Sequence, residues 1–163
     1  VSNLDNSGQE PLETSSGSVV KTAYGIRVKL TREKMVRIDR SKIMLGEPAY
    51  AYDCSCPPTD EFLPTDSIAA IRVITLTDFN SSHLVNSAVS TYFKVYKSYS
   101  FSTLDDFVNK TSATFFNETE LQVTFDLLLM TPPDSNGPHQ FRVQIILSDG
   151  RTLEQDTSTI DFI

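Results

Sequence analysis

Tryptophan is absent from the chain, and cysteine and histidine occur twice each. Cysteine and histidine, the residues that hold most structural zinc, are therefore scarce. No apolar run approaches the roughly 18 residues that a membrane-spanning helix needs. The densest runs, "IAAIRVITL" and "FDLLLM", have the length of strands. Positive charge is also in deficit, with 14 Lys and Arg against 21 Asp and Glu and a net charge of −7, so nucleic acid is not an expected partner. No initiating Met and no charged-then-apolar leader stands at Val1, and the expectation is a trimmed or mature form.

The 163 residues present suffice for one domain burying about two thirds of its unfolded surface. The first seventeen, "VSNLDNSGQEPLETSSG", are polar with two isolated leucines and no period. They read as a flexible N-terminal tether, residues 1–17, ahead of a single domain over residues 18–163. In "AYGIRVKLTRE" Ile26, Val28 and Leu30 alternate with Arg27, Lys29 and Thr31, the mark of a half-buried strand. Residues 27–42 hold seven basic side chains against two acidic ones, a local +5 that leaves −12 elsewhere. A solvated strand face guarded by Lys and Arg accounts for this better than a steering patch does.

"SIAAIRVITLTDF" is apolar on both faces and is expected as a central strand. "VSTYFKVYKSY" alternates again, with Val89, Thr91, Phe93 and Val95 opposed to Tyr92, Lys94 and Tyr96. "STLDDFVNK" starts a short helix, with Thr103 as cap and Asp106 three residues on. "ELQVTFDLLLM" and "QFRVQIIL" are amphipathic strands, and "SDGR" signals a hairpin of the primed type. The fold expected is mainly β, an antiparallel immunoglobulin-like β-sandwich of about seven or eight strands with one short helix.

The run from Ala49 through "LPTDSIAAIRVITLTDFNSS", the "STYFKVY…STLDDFV" middle and the closing "LLLMTPPDSNGPHQFRVQIILSDGRTLEQDTSTIDFI" together resemble an uncharacterised family of Bacteroidetes lipoproteins, a domain of unknown function. The resemblance covers residues 22–163, with "PTDSI" before a strand leading into "TDFNSS", and "HQFRVQIILSDGRT", as its most telling pieces. It implies an exported domain of the bacterial envelope, periplasmic or on the outer-membrane surface, lipid-anchored at a cysteine upstream of Val1. It brings no catalytic residue.

Cys54 and Cys56 stand one residue apart before Pro57-Pro58. A zinc site would need further ligands at short spacing, and a thioredoxin-type pair would need two intervening residues and a helix N-terminus. Free thiols or a strained local disulfide between Cys54 and Cys56 are the leading readings. His83 and His139 lie singly in expected loops, with no nucleophile motif to support them, and read as surface residues. Asp105 and Asp106 read as capping acids, and Asp134 to Gly137 as a turn rather than a calcium loop. The sequons at Asn80, Asn109 and Asn117 carry weight only in a eukaryotic secreted protein.

Aromatics are more suggestive. Tyr50, Tyr52, Tyr92, Tyr96 and Tyr99, with Phe101, gather in two segments and form a candidate binding surface for a protein or a glycan. A second buried face of the sandwich is the competing explanation. No catalytic residue, metal or cofactor is assigned. The functional expectation is a non-enzymatic binding or assembly module of the envelope; the alternative is a carbohydrate-active enzyme or glycan-binding domain, which would need a cleft with two carboxyls.

Overall fold

Runs of alternating or continuous apolar residues build the longest of the described strands. A computed structural model gives the structure and describes residues 1–14, 17–31, 35–36, 61–62, 67–111 and 122–163. In chain order the strands are β1 (Ser2–Asp5), β2 (Leu12–Glu13), β3 (Ser18–Val19), β4 (Tyr24–Thr31), β5 (Met35–Val36), β6 (Glu61–Phe62) and β7 (Ile68–Thr75). They continue with β8 (Phe93–Lys97), β9 (Ser100–Ser102), the helix α1 (Leu104–Thr111), β10 (Gln122–Leu129), β11 (Gly137–His139), β12 (Phe141–Leu147), β13 (Thr152–Asp156) and β14 (Ile160–Phe162). The fold is mainly β, as expected, a sandwich-like arrangement with one short α-helix among the described residues. Its strands outnumber the seven or eight expected because many hold only two to four residues, too few for a readable period.

The chain divides into two units. One comprises Val1–Thr31 and Asp66–Ile163, and the other Arg32–Thr65. Of the smaller unit only the antiparallel pair β5 and β6 is described, with Met35 opposite Phe62 and Val36 opposite Glu61. Cys54, Cys56, Tyr50, Tyr52 and the sequon at Asn117 lie outside the described residues.

In the larger unit a six-stranded antiparallel sheet runs β2-β1-β4-β10-β8-β9. Its inner face presents Tyr24, Ile26 and Val28 from β4, Val123, Phe125, Leu127 and Leu129 from β10, and Phe93 and Val95 from β8. Packed on that face are Ile71 and Val73 of β7, Phe141, Val143 and Ile145 of β12, and Ile160 and Phe162 of β14. Phe141 sits at the centre, its ring centroid 5.5 Å from Tyr24, 5.6 Å from Phe93 and 6.3 Å from Phe79. Helix α1 brings Phe107 to 4.9 Å from Phe125. Its start is as expected: the Thr103 hydroxyl accepts the Asp106 N–H at 3.1 Å.

Several expectations need correcting. Residues 2–5 are not a tether but strand β1, paired with both β2 and β4. Leu4 is fully buried, and the Asn3 amide donates to the Ser158 carbonyl at 2.9 Å while its oxygen accepts the Tyr24 hydroxyl at 2.8 Å. One leucine and one asparagine hold the strand, and neither repeats, so no pattern announced it. The bonded Tyr24 phenol lies deep in the core, where burial pushes its pKa far up. β7 has one face buried rather than two, since Arg72 is exposed, but it does have neighbours on both edges: β12 on one, in the order β13-β12-β7, and residues 86–89 on the other, with Val89 N–H donating to the Val73 carbonyl at 2.8 Å. β14 and β3 pair in parallel, while the other strand pairs among the described residues are antiparallel.

His139 is not a surface residue. It is buried in β11, stacks on Phe162 at 4.8 Å and meets the Thr77 hydroxyl at 3.0 Å through Nδ1. Desolvation holds its pKa below the ordinary value.

Candidate functional site

The functional geometry grows from one register row on the outer face of the six-stranded sheet. Ser2 lies opposite Arg27, Arg27 opposite Asp126, Asp126 opposite Tyr96 and Tyr96 opposite Phe101. Residues directly opposite share a face about 5 Å apart, so the five side chains form a continuous stripe across β1, β4, β10, β8 and β9.

At the centre of the stripe Arg27 grips Asp126 with both prongs, Nε to Oδ1 and Nη2 to Oδ2, each at 2.8 Å. The Asp126 side chain is only 8% exposed and that of Arg27 23%. Arg27 also donates from Nη2 to the Pro11 carbonyl at 3.2 Å and lies 3.6 Å from Glu13, which Lys29 meets at 2.6 Å. Asp126, with Glu13 beyond it, holds the guanidinium above its ordinary pKa. A bidentate, half-buried pair of this kind fixes both side chains in one orientation. The basic run at 27–42 is thus not simply a solvated face at its first member.

Beside the pair stands an aromatic cluster. Tyr96 lies 5.0 Å from Phe101 and 6.5 Å edge-on to Tyr99. Tyr99 is 84% exposed and Phe101 54%, so this is no second buried face. The β8–β9 connection that carries Tyr99 is a two-residue turn, with Lys97 opposite Ser100 and φ of 50° at Ser98 and 61° at Tyr99. Both central residues occupy the left-handed region, the requirement of a primed hairpin turn normally met by Asn-Gly. A bulky residue there is strained by about 1–3 kcal/mol.

The Asp149-Gly150 turn, by contrast, is not primed. Only Gly150 has positive φ, at 88°, and its N–H donates to the Leu147 carbonyl, giving a three-residue loop with the glycine at the bulge.

Glu10 and Pro11, from the segment between β1 and β2, reach over the same face. Together with Arg27, Asp126, Tyr96, Ser98 and Tyr99 they enclose a cleft of about 180 Å³. The Tyr99 hydroxyl makes a long 3.5 Å contact with the Glu10 carboxylate across its mouth.

The candidate aromatics therefore divide. Tyr96 and Tyr99 come together, with Phe101. Tyr92 does not join them: it packs on the core, stacked on Phe79 at 5.1 Å, with its hydroxyl near Asn80 and His83. Glu10, Arg27 and Asp126 were missed by sequence reasoning. The available signal was Asp126 itself, a charge interrupting the apolar run "VTFDLLLM". A second groove, of about 270 Å³, lies between β7, the start of α1 and residues 90–94, floored by Ile71, Phe93 and Leu104. Among the described residues no cluster of His, Cys, Asp and Glu is arranged to hold a metal ion, and no helix is long and apolar enough to cross a membrane.

No curated protein and no solved structure matches the chain. A family model does, over residues 1–159, a span that takes in β1 and every described strand before β14. The chain belongs to the domain of unknown function family DUF5034.

Proposed function

We propose that the chain is a non-enzymatic binding module, and that the cleft between the Glu10–Pro11 segment and the Tyr99 hairpin is its contact surface. The observation that carries this is Tyr99: its backbone is held in a strained conformation and its ring is left almost wholly in solvent. The strain costs the free fold stability, and the exposed ring adds little to its packing in return, which is the pattern expected where an external partner uses the residue. The row beneath is rigid, because the Arg27–Asp126 fork and the Tyr96–Phe101 contact lock the floor.

The module's place, on this reading, is the envelope of a Bacteroidetes-type bacterium, held by a lipid on a cysteine upstream of Val1. The sequence resemblance supports this part, and an acylated N-terminal segment in the intact mass of the protein from its native host would establish it. An unacylated mass would remove the anchor. For the binding role, a photoreactive amino acid at the position of Tyr99 should give an adduct in the native host that the same amino acid at Leu153, exposed on β13, does not. Equal labelling at both positions would contradict it.

A carbohydrate-active enzyme remains the second reading, because Glu10 and Asp126 line one cleft. Asp126 gives both its oxygens to Arg27, which suits an architectural role better than a catalytic one. Hydrolysis of an oligosaccharide that is lost in Glu10→Gln while binding persists would favour the enzyme.

A further inference from the structure

We infer that the ligand of this cleft is a neutral sugar ring within a glycan. The inference rests on the binding role proposed for the Tyr99 cleft. Charge decides against anionic ligands. Of the residues lining the cleft Arg27 alone is cationic, and its fork is already occupied by Asp126, while Glu10 adds a negative charge at the mouth. A phosphate or an acidic polymer entering here would face an uncompensated carboxylate and find no free donor fork.

Shape and chemistry point the same way. A pyranose has one face of C–H groups and a rim of hydroxyls. The C–H face fits against an exposed aromatic ring, and the hydroxyls need both donors and acceptors around them. Tyr99 supplies such a ring, 84% exposed, and Tyr96 and Phe101 extend the apolar surface beside it. The Glu10 carboxylate, the Ser98 hydroxyl and the Tyr99 hydroxyl supply acceptors and donors at the edge. The volume of about 180 Å³ admits one ring and leaves the neighbouring rings of a chain outside. The 3.5 Å contact between Tyr99 and Glu10 is long and solvent-exposed, so a sugar hydroxyl can replace it at little cost.

The groove between β7 and α1 lacks these features. Its floor is apolar but carries no exposed aromatic ring, since Phe93 is buried.

Affinity electrophoresis of the full chain through gels containing starch, a mixed-linkage β-glucan, xylan or mannan tests the inference. At least one gel should retard the protein. Titration calorimetry with the matching hexasaccharide should then show binding weakened about tenfold or more in Tyr99→Ala, and less in Glu10→Gln. Leu153→Ala should bind as the parent does. Circular dichroism and thermal melting of each variant separate lost binding from lost fold. Retardation by none of the four polysaccharides, retardation undiminished in Tyr99→Ala, or stronger retention by polygalacturonate than by any neutral polymer would overturn the assignment. A specific protein adduct at position 99 in the native host, with no retardation, would sink the sugar and leave the binding role standing; failure of both would remove the two together.

Discussion

Asp126 is the residue on which the outer face turns. Its carboxylate is nearly buried, and the Arg27 fork is what makes that burial tolerable. Arg27→Ala should therefore destabilise the protein by about 3 kcal/mol, and Arg27→Lys by less, since a point charge keeps the ion pair and loses the fork. Chemical denaturation of the two variants checks the order. Gly25 is a second such residue. A Cβ there would come within 2.7 Å of Leu128 Cδ2 and 3.1 Å of the Leu127 carbonyl, so Gly25→Ala should cost about 1–3 kcal/mol in the same measurement.

His139 gives a pH signature. Its pKa in the fold lies below the ordinary value of 6.5, so as pH falls the unfolded chain takes up the proton first. Its contribution to stability is complete above about pH 6.5 and is lost progressively below it, until the folded-state pKa is reached. Glu13, Asp149 and Asp156, lowered from 4.5, 3.8 and 3.8, act only at more acid pH. Thermal melts at pH 7 and pH 5.5 should differ in the parent, and the difference should shrink in His139→Phe, which keeps the stack on Phe162 and cannot titrate. None of these three roles was legible in the sequence. A lone Gly, Asp or His shows its type but not the partner that the register sets opposite it.

Among the elements, the β8–β9 hairpin carries both the strain and the exposed ring. Tyr99→Asn replaces a bulky residue with one that tolerates the left-handed region, and should stabilise the protein by about 1 kcal/mol while weakening ligand binding. A variant that is less stable and binds equally well would contradict the account of the turn. Helix α1 behaves more simply: Thr103→Ala removes the cap and should cost about 1 kcal/mol.

The cap was readable because its chemistry is local, Thr followed three residues on by an acid. The faces of β10 and β12 were readable because seven or eight residues suffice for a period of two. The primed turn was not readable, since Ser98-Tyr99 carries no turn signal, whereas Asp149-Gly150 carries one and forms a different turn. Pairing geometry imposed the conformation at Ser98-Tyr99 against local preference, and local rules fail most readily at such places.

For the molecule as a whole, composition and alternation led correctly to a mainly β sandwich. They were silent on strand order and on the parallel β3–β14 pair, and they misread residues 2–5, part of the main sheet, as tether, because each depends on partners far apart in the chain. The cleft is a product of that order. Glu10, Arg27, Tyr99 and Asp126 meet only because β1, β4, β10 and β8 lie side by side. The central claim, that this cleft is where the molecule meets its ligand, is tested most directly by amide chemical-shift mapping of the labelled protein with neutral hexasaccharides. The account predicts shifts concentrated at Glu10, Arg27, Asp126 and the Tyr96–Phe101 hairpin. Shifts confined to the groove between β7 and α1 would contradict it, and no shift with any of the sugars would remove the sugar as the ligand.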